Sequence, residues 1–241
     1  MQKEHLVLLH GWAMHSAIWG NFAEQLSLHY NVTLIDLPTS DNLNEIAEEI
    51  VAKLADEPFY ILGWSFGGTV ALKIAKIYPN RVKGLILMAA NPCFVATENW
   101  SGMAVETIDS FTEQFHIQPE ETLQRFLHLQ CQGLPKFLKE FKQRFSLKMI
   151  QNFFDLEISL NLLKTSDLRF ILANLTCPIA VILSDNDALV PVKIGKKIQI
   201  LQPNSKRTIL KNAGHIPFIT QSENCLNFIH TFINDTRQNQ N

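Results

Sequence analysis

Cysteines are few in this chain and far apart. Cys93, Cys131, Cys177 and Cys225 form no C-x-x-C pair. That argues against a metal site and reads as reduced, mostly buried thiols of a cytoplasmic protein. The chain also lacks a strong charge of either sign. A net charge of −2 excludes a bulk electrostatic grip on nucleic acid or on a membrane surface, so any charged partner must meet a local patch. No apolar run approaches the ~18 residues of a membrane span. The early run Leu6-Val7-Leu8-Leu9 is too short for a signal-peptide core and has no small-residue cleavage site behind it. Internal repeats and low-complexity tracts are missing as well.

What is present is material for a core. Of 241 residues, 46% are hydrophobic and 18% charged, which suits one large α/β domain or a domain with a modest insertion. Short apolar runs alternate with helical patterns, the signature of a mainly parallel sheet flanked by helices. Strands are expected at 6–9, 32–35, 59–62, 82–88, 179–183 and 207–210. Ile18, Trp19, Phe22 and Leu26 make one helical stripe, with Ser16 in position to cap it. Ile46, Ile50 and Leu54 make the next, and Leu226, Phe228, Ile229, Phe232 and Ile233 belong to a last helix. The alternation breaks over residues 93–169, where helical runs stand at 105–115, 120–129, 136–150 and 156–163 without a strand. The core is therefore expected at 1–92 and 170–241. Residues 93–169 form an inserted helical lid over the sheet's carboxyl edge, where open α/β sheets bind ligands.

The stretch Gly63-Trp64-Ser65-Phe66-Gly67 reads G-x-S-x-G between a strand pattern and a helical one. A serine there sits on a tight turn that exposes its hydroxyl, and a Cβ on the flanking glycines would crowd that turn. A serine hydroxyl is a poor nucleophile at neutral pH. It needs an imidazole to take its proton and a third group to orient that imidazole. In this arrangement the partners follow in the order Ser, Asp/Glu, His. Of eight histidines, only His215 and His230 come after the late strand that can supply the acid. His215 lies in a loop between Gly214 and Pro217, whereas His230 sits mid-helix among apolar residues and reads as packing. The alternative for His215 is a cap on the next helix. Two aspartates compete for the acid, Asp185 and Asp187, and the loser reads as a turn residue. The oxyanion donors are expected to be the backbone N–H groups of Phe66 and Trp12. His10, beside Trp12, reads as a residue that shapes its loop by hydrogen bonds.

These residues resemble a known family, the α/β-hydrolases. The likeness is greatest to the pimeloyl-[acyl-carrier protein] methyl ester esterase (BioH) type and covers nearly the whole chain. It rests on His5-Leu6-Val7-Leu8-Leu9-His10-Gly11-Trp12, Asp36-Leu37-Pro38, Gly63-Trp64-Ser65-Phe66-Gly67-Gly68, Asn91-Pro92-Cys93-Phe94, Glu98-Asn99-Trp100, Leu163-Lys164-Thr165-Ser166-Asp167-Leu168-Arg169, Asp187-Ala188-Leu189-Val190-Pro191 and Gly214-His215-Ile216-Pro217-Phe218-Ile219. The resemblance implies Ser65 as nucleophile, Asp187 as acid and His215 as base, with Trp12 and Phe66 as oxyanion donors. It implies a serine carboxylesterase of biotin synthesis that needs no cofactor and no metal. The chain departs from the family in lacking a hairpin before the first strand and in the short, glycine-free loop Thr39-Ser40-Asp41-Asn42-Leu43.

Aromatic residues suited to an acyl tunnel are Trp12, Phe94, Trp100, Phe111, Phe137 and Phe141, each with ordinary packing as the alternative. On a helical wheel Phe137, Leu138, Phe141 and Phe145 share one face, and Lys136, Lys139 and Lys142 lie on the other. The resemblance implies that this basic face meets an acidic acyl carrier protein; a solvated helix face is the alternative. The expected partner is thus a carrier bearing the ester, with neither nucleic acid nor membrane, and the enzyme is expected to be a monomer. Rival readings are a broad short-chain carboxylesterase, a carbon–carbon hydrolase or lyase on the same triad, and a non-catalytic ligand binder.

Overall fold

In this computed structural model, which describes residues 3–144 and 152–238, six strands make one sheet and each neighbouring pair runs parallel. The chain begins with β1 (His5–Leu9), a 3-10 turn (Ser16–Trp19), α1 (Gly20–Ser27), β2 (Asn31–Ile35) and α2 (Leu43–Ala52). It continues through β3 (Phe59–Trp64), α3 (Phe66–Ile77) and β4 (Val82–Met88). Four helices follow, among the described residues without a strand between them: α4 (Val105–Ile117), α5 (Pro119–Gln130), α6 (Pro135–Arg144) and α7 (Phe153–Thr165). The last part is α8 (Arg169–Ala173), β5 (Ile179–Ser184), α9 (Ile194–Leu201), β6 (Lys206–Leu210), α10 (Pro217–Thr220) and α11 (Ser222–Gln238).

Successive strand side chains point to opposite faces, and both faces of this sheet are covered. Leu6, Leu8, Tyr60, Leu62, Ile86 and Met88 pack with Phe22 and Leu26 of α1 and with Ile229 and Phe232 of α11. Val7, Leu9, Ile61, Leu85, Leu87 and Val181 pack against α2, α3 and α9 on the other side. Two covered faces explain why the central strands read as unbroken apolar runs. The outer strands β2 and β6 each keep only one fully buried position.

Strand order is β2-β1-β3-β4-β5-β6. From β1 the chain steps to β2 on one side and returns to β3 on the other. Such a reversal opens a crevice beyond the carboxyl ends of β1 and β3, the usual ligand position in open α/β sheets. His10-Gly11-Trp12 leaves β1 there, and Ser65 leaves β3.

The helices α4 to α7 are inserted between β4 and β5, and the two ends of the insertion meet. Cys93 bridges Asp167 in antiparallel fashion, and the Leu168 N–H donates to the Pro92 carbonyl at 2.7 Å. Ile108, Phe115, Leu160 and Leu163 join one core and Leu127, Cys131 and Phe141 the other. Among the described residues no helix is long and apolar enough to cross a membrane.

One element differs from the sequence expectation. Ser16 does not cap α1. Asp36, at the end of β2, takes the Ser16 amide at 2.5 Å, and Ser16 opens the 3-10 turn with His15 in the cap position. Of the lid helix expected at 136–150, the described part is Pro135–Arg144; residues 145–150, Phe145 among them, lie outside the described residues.

Candidate active site

Ser65 holds φ 55° and ψ −120°, a left-handed conformation that costs a non-glycine residue about 1–3 kcal/mol. The surroundings enforce it. The Ser65 amide donates to the Met88 carbonyl at 3.0 Å, and its own carbonyl accepts from Gly68 N–H at 2.9 Å. A Cβ on Gly63 would collide with the Gly67 backbone, and one on Gly67 would collide with the Leu9 carbonyl. Helix α3 can therefore start directly after β3, hard against the end of β1, with Ser65 at the bend.

His215 follows the turn after β6 and is fully buried at its side chain, as is Asp187. The Asp187 oxygens lie 3.0 and 2.9 Å from His215 Nδ1. A carboxylate only accepts, so Nδ1 carries the ring proton and Nε2 carries the lone pair. Among the described residues the buried Nε2 has no hydrogen-bond partner. Trp64, next to Ser65, holds the loop in place: its indole N–H donates to the His215 carbonyl at 2.7 Å. Asp187 is itself pinned, since its Oδ1 accepts from the amides of Leu189 and Val190 at 2.8 and 3.0 Å. Both of those side chains are buried. Asp185 is engaged elsewhere, on the surface, where its Oδ1 accepts from the Asn212 amide at 2.8 Å. That amide belongs to a residue at φ 53°.

The loop after β1 runs beside the serine. A Cβ on Gly11 would lie 3.3 Å from Ser65 Cβ and 3.2 Å from the Trp64 ring, a tight fit that neighbouring atoms would have to yield to admit. The Phe66 amide is the first N–H of α3, a group that a helix leaves without an internal acceptor. Among the described residues no backbone carbonyl takes the amide of Phe66 or of Trp12. Two free donors near a strained serine suit a developing oxyanion.

His10 shapes this loop. Its Nε2 accepts from the Leu37 amide at 3.0 Å, which leaves Nδ1–H to donate to the Gly11 carbonyl at 2.8 Å. Burial lowers its pKa to about 4, against the pull of the Gly11 carbonyl and Asp36. Burial lowers those of His5 and His230 as well. A histidine kept neutral by the fold stabilises it fully above the unfolded value near ~6.5 and loses that contribution as pH falls toward the folded value. Thermal stability is therefore expected to decline from pH 7 to pH 4, with the His10 ring still neutral at pH 5. Titrating the histidine ring signals by NMR checks this; a His10 midpoint near ~6.5 would contradict it.

An apolar cleft opens on Ser65. Trp12, Phe94, Phe111, Phe126, Leu160 and Leu189 are among its lining residues. The Trp12 ring meets Phe111, Phe115 and Phe126 edge-on at centroid distances of 5.7, 5.3 and 5.1 Å. Its indole N–H donates to the Leu156 carbonyl of α7 at 2.9 Å. The free volume is about 50 Å³, room for only a few water molecules.

Three of the expected tunnel residues lie elsewhere. Trp100 braces the neck of the insertion: its indole N–H donates to Asn91 Oδ1 at 2.8 Å, and Arg169 lies over its ring. Phe141 is fully buried in the core around α1 and α11, with Phe137 packed against the same cluster. The cleft takes instead Phe126 and Leu129 of α5 and Leu160 and Leu163 of α7. All four sit in the helical runs expected at 120–129 and 156–163, but no signal in the sequence told cleft from core. Lys136 and Lys139 are exposed on α6; Lys142 is half-buried, with Nζ 3.3 Å from His128 Nε2. His230 accepts or donates at Nδ1 with the Tyr30 hydroxyl at 2.7 Å, far from Ser65 in role.

Residues 4–222 match the alpha/beta hydrolase fold family. The chain is 35% identical over 227 residues to the pimeloyl-[acyl-carrier protein] methyl ester esterase of Salmonella newport (strain SL254), covering 90% of this chain and 88% of the relative. It is 33% identical over 240 residues to the protein of that name from Aliivibrio fischeri (strain MJ11), covering 95% and 93%. Among solved structures, the esterase EaEST from Exiguobacterium antarcticum superposes with a TM-score of 0.81 at 20% identity, covering 98% of this chain and 92% of that one. MenH from S. aureus gives 0.79 at 22% identity, covering 98% and 96%.

Proposed function

The chain belongs to the alpha/beta hydrolase family, and from that premise we propose that it hydrolyses the methyl ester of pimeloyl-acyl carrier protein in biotin synthesis, as a serine carboxylesterase. The observation that carries the mechanism is the buried His215, with Asp187 on Nδ1 and an unpartnered Nε2, on a loop braced by the residue preceding Ser65. Ser65 Oγ attacks the ester carbonyl carbon while His215 Nε2 takes the hydroxyl proton. The carbonyl oxygen becomes an oxyanion held by the Trp12 and Phe66 amides. His215 returns the proton to the departing methanol, which leaves Ser65 acylated. A water then attacks the acyl-enzyme by the same route and releases the carboxylate. Asp187 keeps the ring oriented and stabilises its cationic form. The relatives' names support the carrier-bound substrate.

The acyl chain would lie in the apolar cleft beneath α4, α5 and α7, which we read as the lid spanning 93–169. A pimeloyl chain needs more space than the cleft offers, so lid side chains must separate as it enters. We read the enzyme as a cytoplasmic monomer. Comparing turnover of the carrier-bound methyl ester with that of a free short ester tests the assignment, as does complementation of a biotin-requiring strain lacking this activity. Equal turnover together with failed complementation would leave a general carboxylesterase.

Carrier recognition is assigned to the basic face of α6. Combined Lys136→Glu, Lys139→Glu and Lys142→Glu is expected to lower kcat/KM on the carrier ester about tenfold, through slower encounter, and to spare a small free ester. Wild-type turnover of the carrier ester is expected to fall as salt shortens the screening length to about 8 Å near physiological strength. Equal effects on both substrates, or none, would return these lysines to a solvated face.

A further inference from the structure

The acid loop and the base loop are joined residue by residue. Four consecutive residues, the last of β5 and the three beyond it, each hold one of four consecutive residues after β6. Asp185 Oδ1 accepts from the Asn212 amide at 2.8 Å, Ser184 Oγ from the Ala213 amide at 3.1 Å and Asn186 Oδ1 from the Gly214 amide at 2.9 Å. Asp187 completes the series on His215 Nδ1. Ser184 is fully buried, and its hydroxyl proton goes to Asn186 Oδ1 at 2.7 Å. An amide N–H and a hydroxyl proton both point at that one Asn186 atom, so it must be the oxygen, and the orientation of the side chain is fixed.

Asn186 thus grips the residue just before the base. Gly214 sits at φ 61°, a left-handed turn that swings the His215 ring back toward Asp187. The His215 amide is held from the opposite side by the Gln130 carbonyl at the end of α5, at 3.2 Å. The nearest heavy atom to a Cβ built on Gly133, in the turn after α5, is Asn186 Nδ2 at 3.9 Å. Asn186 therefore stands where the strand end, the base loop and the lid corner meet.

We propose that Asn186 is a positioning residue for catalysis: through the Gly214 amide it sets the distance and angle at which His215 faces Ser65 and Asp187. This rests on the triad reading above. Asn186 touches neither substrate nor the reacting atoms and acts only through the placement of the base. A small displacement of a catalytic group is enough to lose about ten- to a hundredfold in rate.

The test is a double-mutant cycle between Asn186 and Asp187, read as kcat and KM on a p-nitrophenyl ester, with thermal melts of each protein. Asn186→Leu, near-isosteric but without an acceptor, is expected to lower kcat about ten- to a hundredfold with KM little changed. Asn186→Asp keeps the acceptor and is expected to restore kcat to within a few-fold, with the acidic limb of its pH profile moved upward by the added charge. Both residues act through one imidazole, so Asn186→Leu should cost less than about threefold once Asp187→Asn is present. Asn186→Ala, a milder change, enters the same cycle in case the leucine variant does not fold. Additive losses in the cycle, a loss seen in KM alone, or no loss in kcat would overturn the proposal. If Asp187→Asn itself left kcat intact, the triad reading would fail instead, and the two failures are distinguishable.

Discussion

Ser65→Ala is expected to lower kcat by about four to six orders of magnitude, leaving the residual catalysis that binding and oxyanion donors supply on their own. Ser65 Oγ is the atom that would form the acyl-enzyme, and among the described residues no other hydroxyl is placed on the same bend after β3. KM should change little, since the cleft walls belong to Trp12, Phe94, Phe111 and the leucines of α5 and α7. The fold should survive: the turn is held by backbone bonds to Met88 and Gly68, which an alanine at this position keeps. Its left-handed φ of 55° is as uncomfortable for alanine as for serine, so the strain neither grows nor disappears. Hydrolysis of a short p-nitrophenyl ester, set beside a thermal melt, measures both quantities. A folded Ser65→Ala protein with near-normal turnover would remove Ser65 from the chemistry.

The parts of this molecule that were legible in its sequence are those with local causes. Central strands such as Phe59–Trp64 and Val82–Met88 are apolar because both sheet faces are covered, and turn residues mark their ends. Ser65 was legible because its conformation demands glycines within two positions. His215 was legible through chain order, which also pointed to the loop after β5 for the acid; Asp187 rather than Asp185 came from the family resemblance. What sequence could not supply was which apolar face looks where. Trp100 and Phe111 both read as large aromatics fit for a cleft wall. One hides its indole N–H against Asn91, and the other packs on Trp12 at the cleft wall. Leu160 and Leu163 read as an ordinary helical stripe, yet they line the cleft at Ser65. Ser16 carries the right chemistry for a cap, but Asp36 lies 20 residues away in the chain and takes its amide. The link between Asn186 and Gly214, 28 residues apart, has no local signature at all.

The choice between Asp185 and Asp187, open in the local sequence, yields the second large expectation. Asp187→Asn is expected to lower kcat by about four orders of magnitude with the fold intact. The cause is a tautomer. Oδ1 of residue 187 takes the Leu189 and Val190 amides, so an asparagine must place its oxygen there. Its NH₂ then replaces Oδ2 and faces His215 Nδ1, now at 2.9 Å from the carboxylate. Two donors repel at that contact, and Oδ1, which lies 3.0 Å from the same nitrogen, already takes two amides, so the balance shifts toward an Nδ1 that gives up its proton and becomes the acceptor. The proton moves to Nε2, the atom that has to be empty to deprotonate Ser65. Asp185→Asn meets no such conflict. Its partner is the Asn212 amide, which an amide oxygen accepts as well as a carboxylate does, and the expected loss is under about tenfold. Measuring kcat for both variants, with circular dichroism to check the fold, separates them. A larger loss for Asp185→Asn would transfer the orienting role to Asp185 and leave the buried Asp187–His215 contact as a structural bond.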